Sequence, residues 1–173
     1  MTAAAIGLGT SLGDRHAHLA LAVRRIGRLR ETTLEAVSRV VITPPLRGGS
    51  ARGWFANAVV VVQTGLDAEA LLDALIEIER GAGRRRSRPW GDRTLDLDLL
   101  LFGDLILQAG RLRLPHPAIA ARPFVWYPLA EVWPEAVDPR TQQPWTPALA
   151  GPRARLAGLV DVPRPRRRAP APR

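Results

Sequence analysis

The chain has 173 residues, of which 46% are hydrophobic and 24% charged, enough for one domain with its own core and outside the range of a disordered chain. It has no cysteine, which excludes disulfides, thiolate metal sites and cysteine nucleophiles; its 25 basic residues are all arginine, which excludes a P-loop, kinase-strand or Schiff-base lysine. A net charge of +9 admits a nucleic-acid partner, but much of it sits in a terminal PRPRRRAPAPR run, and neither a membrane span nor a signal leader is visible, so a cytoplasmic protein is expected.

The first predicted element is a short strand, Ala3 to Leu8, ended by a turn at Gly9-Thr10-Ser11-Leu12-Gly13. Asp14 is placed to cap a helix whose buried stripe is Leu19, Val23, Ile26 and Leu29. Leu34 to Ile42, rich in β-branched residues, reads as one strand, and Thr43-Pro44-Pro45-Leu46 ends it because proline cannot donate to a ladder. Arg47 to Gly53 is a glycine-rich loop. Phe55 to Val62 is the next strand, with Phe55 and Asn57 on one face. A ring beside an amide suits recognition of a flat heterocycle; equally, Phe55 suits a core and Asn57 a backbone turn. Asp67 then caps a second helix buried through Leu71, Leu72, Leu75 and Ile76. Glu79 continues that stripe and is expected to reach its rim, and Gly81 and Gly83 end the helix.

Arg84 to Phe102, RRRSRPWGDRTLDLDLLLF, carries the most chemistry. Its first half is a loop crowded with guanidinium groups, broken by Pro89 and Gly91. Its second half reads as a strand, with Asp96 and Asp98 on one face about 6.5–7 Å apart along the backbone. Leu99 to Phe102 is apolar on both faces, which suits a central, covered strand. Two adjacent carboxylates repel unless a cation sits between them, and hard oxygen ligands suit Mg²⁺, which completes its shell with water and phosphate. The arginines suit the phosphate oxygens. The competing reading is a solvated acidic edge beside a solvated basic loop.

The order strand, helix, strand, strand, helix, strand is that of an α+β, ferredoxin-like βαββαβ core, an antiparallel sheet with helices on one face. Beyond it, Leu105 to Leu107 and Arg111 to Leu114 form an added hairpin, Pro115-His116-Pro117 a rigid turn, and Ala118 to Ala121 and Phe124 to Val132 short helices. Leu156 to Val160 adds a last small contact. Residues 1–160 are expected to form a single domain and 161–173 a disordered tail.

The run Trp90-Gly91-Asp92-Arg93-Thr94-Leu95-Asp96-Leu97-Asp98-Leu99-Leu100-Leu101-Phe102-Gly103 closely resembles the signature of the 6-hydroxymethyl-7,8-dihydropterin pyrophosphokinases of folate biosynthesis. Collinear fragments extend the resemblance from about Ile6 to Pro134: a glycine turn with Thr10 and Ser11 at the family's Ser-Asn positions, Thr43-Pro44-Pro45-Leu46, the aromatic-x-Asn of Phe55 and Asn57, and Pro115-His116. Pro117 stands where the family commonly has an aromatic residue. The resemblance implies transfer of a pyrophosphoryl group from ATP to the pterin's primary alcohol, giving AMP and the pterin diphosphate. It implies two Mg²⁺ ions on Asp96 and Asp98, and Arg84 and Arg93 on the phosphates. Thr43, Pro44, Leu46, Phe55, Asn57 and Phe124 would line the pterin pocket. Arg86 and Trp90, on a closing loop, with Arg111, His116 and Arg122, would lie on the nucleotide side, and Glu79 would tie down the arginine loop.

ATP and the reduced pterin are the partners so implied; the chain is expected to be a monomer, with neither membrane nor nucleic acid as partner. Two other functions remain open: an RNA-binding ferredoxin-like module, which the charge allows, and another two-metal phosphoryl or nucleotidyl transferase.

Overall fold

The apolar runs become strands and helical stripes in the computed structural model, which describes residues 1–45, 50–84, 91–145 and 159–160. In chain order these are β1 Thr2–Thr10, α1 Arg15–Ile26, β2 Thr32–Val37, β3 Val40–Thr43, β4 Phe55–Thr64, α2 Ala68–Gly81 and β5 Asp96–Phe102. β6 Leu107–Ala109, β7 Leu112–Leu114, α3 Ala118–Ala121, α4 Pro123–Val132 and β8 Leu159–Val160 follow. The main sheet runs β5-β1-β4-β3-β8, with β2 also on β4, and every pairing in it is antiparallel. Both helices start at the expected caps: Asp14 accepts from Ala17 N–H at 3.0 Å and Asp67 from Ala70 N–H at 2.8 Å. The tail after Val160, with its expected disorder, lies outside the described residues.

Three expectations need correction. The single strand from Leu34 to Ile42 is two strands, because Ser38 substitutes its side chain for a ladder partner: its hydroxyl accepts from Val59 N–H at 2.9 Å and donates to Arg39 C=O at 2.8 Å. β4 is long enough to serve both halves, pairing β2 through Val60–Thr64 and β3 through Phe55–Asn57. The two helices of the βαββαβ core share one face of the sheet as expected, and the added short helices cover the other. Leu19, Val23, Ile26, Leu71 and Leu75 of α1 and α2 pack on Ile6, Leu8, Val60, Val62, Leu97 and Leu99. Ile119 and Leu129 of α3 and α4, with Val125 and Trp126, pack on Ala5, Val59, Leu100 and Leu101. A sheet apolar on both sides cannot leave either one to water.

β5 is covered but not central; it ends the sheet. It is apolar on both faces partly because of a bulge: Leu99 pairs with Ile6 and Leu101 with Ala5, so Leu100 is an extra residue and Leu101 joins it on the second face. Its outer edge is answered by other groups. Leu97 N–H donates to the Glu79 carboxylate at 2.6 Å, and Leu100 C=O accepts from His116 N–H at 2.9 Å. Closing this edge thus brings Glu79 and His116 to the two acids that open the strand. The added hairpin forms two residues later than expected, pairing Leu107 with Leu114, and leaves Leu105 and Ile106 exposed.

Candidate active site

Pairing registers place the chemistry on the sheet face that α4 covers in part. Asp96 of β5 lies opposite Gly9 of β1, which lies opposite Asn57 of β4, which lies opposite Val41 of β3. The neighbouring row is Asp98, Gly7 and Val59. Side chains on one face recur every second residue, so Asp96, Asp98, Gly7, Gly9, Phe55 and Asn57 all belong to it. The two glycines leave a bare lane down β1 between the acids and the aromatic end. A Cβ at Gly9 would meet Asn57 Oδ1 at 3.5 Å and Asp96 Cβ at 3.9 Å, so the lane is kept clear although a methyl group would fit.

Over this lane lies a cavity of about 350 Å³. Its acidic and basic wall holds Arg84, Arg93, Asp96, Asp98, His116 and Arg122; its other wall holds Thr43, Phe55, Phe124 and Val125. Thus one cavity gathers Arg84, Arg93, Asp96, Asp98, Thr43, Phe55, Phe124, His116 and Arg122 from the sequence prediction. Asn57 is buried beneath the wall, its amide donating to Thr43 Oγ1 at 3.1 Å and to Val41 C=O at 3.4 Å. Pro44 is exposed beside Thr43 and is not on the wall. Arg111 lies elsewhere, with its guanidinium on Glu69 and Asp73 of α2 at 2.8 and 2.6 Å. Leu46, Arg86 and Trp90 lie outside the described residues.

The two acids differ in their partners. Asp96 is held by two guanidiniums, Arg84 at 2.7 Å and Arg93. Asp98 accepts no side-chain hydrogen bond among the described residues; burial, then the charge of Asp96, pushes its pKa up, and His116, Arg122 and Arg93 offset this only in part. Among the described residues no cluster of three or more His, Asp or Glu could cage a metal ion. A cation here would therefore rest on two carboxylates and need further oxygen from a ligand, a donor set that suits Mg²⁺ with phosphate. His116 takes a hydrogen bond from Ala118 N–H on Nδ1 at 3.1 Å, which puts the proton of the neutral ring on Nε2.

Glu79 does not reach a rim as expected; it is buried at 6% exposure. It binds the Arg84 guanidinium and the Leu97 N–H together, so it fixes the root of the arginine loop to β5. Burial pushes its pKa up to about 6, against the lowering by Leu97 N–H and Arg84, with Asp96 adding to the rise. A raised folded-state pKa means stability present below the unfolded value of 4.5 and lost as pH rises through 6. The stability of the native chain relative to Glu79→Gln should therefore grow by about 2 kcal/mol between pH 7.5 and pH 4.5 in urea unfolding. Parallel curves for the two proteins would show that Glu79 titrates normally.

Sequence reasoning missed Gly7 and Gly9, although glycines two apart in a strand near paired acids were a readable sign of a cleared face. It also passed over Asp92. That carboxylate accepts from Arg52 N–H at 3.0 Å and Gly53 N–H at 3.1 Å, partners no local pattern could reveal.

The sequence pattern of the family described as 7,8-dihydro-6-hydroxymethylpterin-pyrophosphokinase (HPPK) matches residues 5–134, a span that holds every one of these site residues. The chain is 44% identical over 130 residues to the 2-amino-4-hydroxy-6-hydroxymethyldihydropteridine pyrophosphokinase of Pseudomonas aeruginosa, covering 75% of this chain and 80% of that one. It is 39% identical over 137 residues to the protein of the same name from Methylorubrum extorquens, covering 79% and 86%. Among solved structures, the fold is similar to that of Plasmodium falciparum HPPK-DHPS with pterin and p-hydroxybenzoate, at a TM-score of 0.65 and 15% identity. That alignment covers 83% of this chain but 40% of the longer one, and it speaks for the fold alone.

Proposed function

Because the chain belongs to the 7,8-dihydro-6-hydroxymethylpterin-pyrophosphokinase family, we propose that this cavity is where ATP meets the reduced hydroxymethylpterin. The protein is an ATP-dependent pyrophosphokinase of folate biosynthesis. One observation carries the assignment of the site: paired acids, two arginines and two phenylalanines, drawn from β4, β5, α4 and the segments before β5, line a single space.

In the reaction the pterin's alcohol oxygen attacks the β-phosphorus of ATP. The bond from that phosphorus to the oxygen bridging the α-phosphate breaks, and AMP leaves with the bridging oxygen; the alcohol proton passes to solvent. Asp96 and Asp98 would hold Mg²⁺, which when bound neutralises phosphate charge and acidifies the alcohol. Asp98, desolvated and without a side-chain hydrogen bond among the described residues, supplies the ligand most in need of a cation. Arg84 and Arg93 bind Asp96, and each guanidinium has five N–H donors, so donors remain for phosphate oxygens. Phe55 and Phe124 stack on the flat pterin, while Asn57 sets Thr43 at its edge and Pro44 bounds that loop. His116 offers Nε2–H, and Arg122 a charge, on the nucleotide side. Arg111 would have to leave two carboxylates of α2 to join them.

The RNA-binding alternative is set aside. The sheet face that such a module opens to bases is covered in large part here by α3 and α4, which leave a cavity rather than an open platform. No helix among the described residues is long and apolar enough to cross a membrane. Incubation with ATP, Mg²⁺ and 6-hydroxymethyl-7,8-dihydropterin, followed by nucleotide chromatography, should give AMP and a diphosphorylated pterin in equal amounts. Release of ADP or free pyrophosphate instead would overturn the assignment.

A further inference from the structure

Beyond the residues that line the cavity, we infer that Asp92 is a positioning residue: its carboxylate joins the backbone that leads into Phe55 to the backbone that carries Arg93, and so sets the heterocycle and phosphate ends of the cavity relative to each other. The inference rests on Arg93 acting on phosphate. Asp92 itself is not on the cavity wall. Its two oxygens accept from consecutive N–H groups, Arg52 at 3.0 Å and Gly53 at 3.1 Å, two to three residues before Phe55. The Ser11 side chain also favours the charged form of this carboxylate. Ser11 in turn grips Arg93: its hydroxyl accepts from Arg93 N–H at 3.0 Å, and its own N–H donates to Arg93 C=O at 3.0 Å. Leu12 N–H reaches the same carbonyl at 3.3 Å.

Both polar groups of the Arg93 peptide unit are therefore held, and the three segments close on one carboxylate. They approach too tightly for any side chain at the junction. A Cβ on Gly53 would lie 3.0 Å from Ser11 O and 3.1 Å from Asp92 Oδ1. The backbone donors, Arg52 first, hold the Asp92 carboxyl below its usual range, so the junction stays ionised at neutral pH. Arrangements of this kind act on rate through alignment, where a shift of about 1 Å in a reacting group can cost on the order of a hundredfold.

The test compares Asp92→Ala, Asp92→Asn and Arg93→Ala in the full chain, with both substrates varied and thermal unfolding followed alongside. Asp92→Ala should lower kcat about ten- to hundredfold and raise the pterin KM more than the ATP KM. Asp92→Asn keeps the shape and one acceptor, and should recover part of kcat. An Asp92→Ala enzyme with a lower Tm but native kcat and KM values, beside an impaired Arg93→Ala, would overturn the inference alone. A fully active Arg93→Ala would overturn the reading of Arg93 and this inference with it. Should Asp92→Ala fail to fold, Ser11→Ala removes one link of the same junction and should lower kcat in the same direction; native kinetics there would also refute the role.

Discussion

Asp98→Asn should lower kcat/KM by about a thousandfold, roughly 4 kcal/mol of transition-state stabilisation, and at the same time raise the stability of the protein measured without Mg²⁺. The two effects have one cause. Asp98 is desolvated, stands beside Asp96 and accepts no side-chain hydrogen bond among the described residues, so its charge is a burden on the folded chain. An amide of the same shape removes that burden and, with it, the anionic ligand a divalent ion needs. Turnover and urea-unfolding curves measured on the same preparation decide the matter. Near-native turnover would end the metal assignment, and lost turnover with lost stability would make Asp98 a structural acid. Asp96→Asn should be equally inactive but without the gain in stability, because Arg84 and Arg93 both lose the anionic partner they share there.

The second large effect is expected at Arg93. Arg93→Ala should reduce kcat about a hundred- to thousandfold while changing the KM for ATP by less than about tenfold, the pattern of a donor used mainly as charge develops. Its peptide is fixed at both ends by Ser11, and its guanidinium, partly buried, reaches Asp96 three residues ahead. Arg84, in contrast, is already shared with the buried Glu79. Arg93→Lys retains the charge but not the forked donor geometry, and should restore only part of the rate. Steady-state kinetics with saturating pterin separates the cases; a pure KM effect would assign Arg93 to ground-state binding.

The acids could be read from the sequence because strand alternation is local: Asp96 and Asp98 had to share a face wherever the strand lay. The helix starts at Asp14 and Asp67 were legible for the same reason, as each cap satisfies a donor three residues away. What the sequence hid depends on neighbours distant in the chain. Four apolar residues in a row suggested a central strand, yet β5 ends the sheet, its apolar surplus explained by the bulge at Leu100 and its open edge by Glu79 and His116. Ser38 gave no warning that it would split a strand, since its partner, Val59, is 21 residues on. Arg111 is placed on the nucleotide side by the family resemblance alone, and only the fold reveals Glu69 and Asp73 waiting for it one helical turn apart.

The bare lane of Gly7 and Gly9 gives the sheet itself a part in choosing the acceptor. Asp96 and Asn57 flank Gly9 on adjacent strands, so two strand spacings, about 10 Å, separate the residues proposed to hold phosphate from those proposed to face the ring. Backbone pairing fixes that interval more rigidly than any side chain could. With the substrates placed as proposed, that interval would gauge how far a hydroxyl projects from its flat ring, and an alcohol on a longer or shorter arm would stack correctly yet present its oxygen out of reach of the phosphorus.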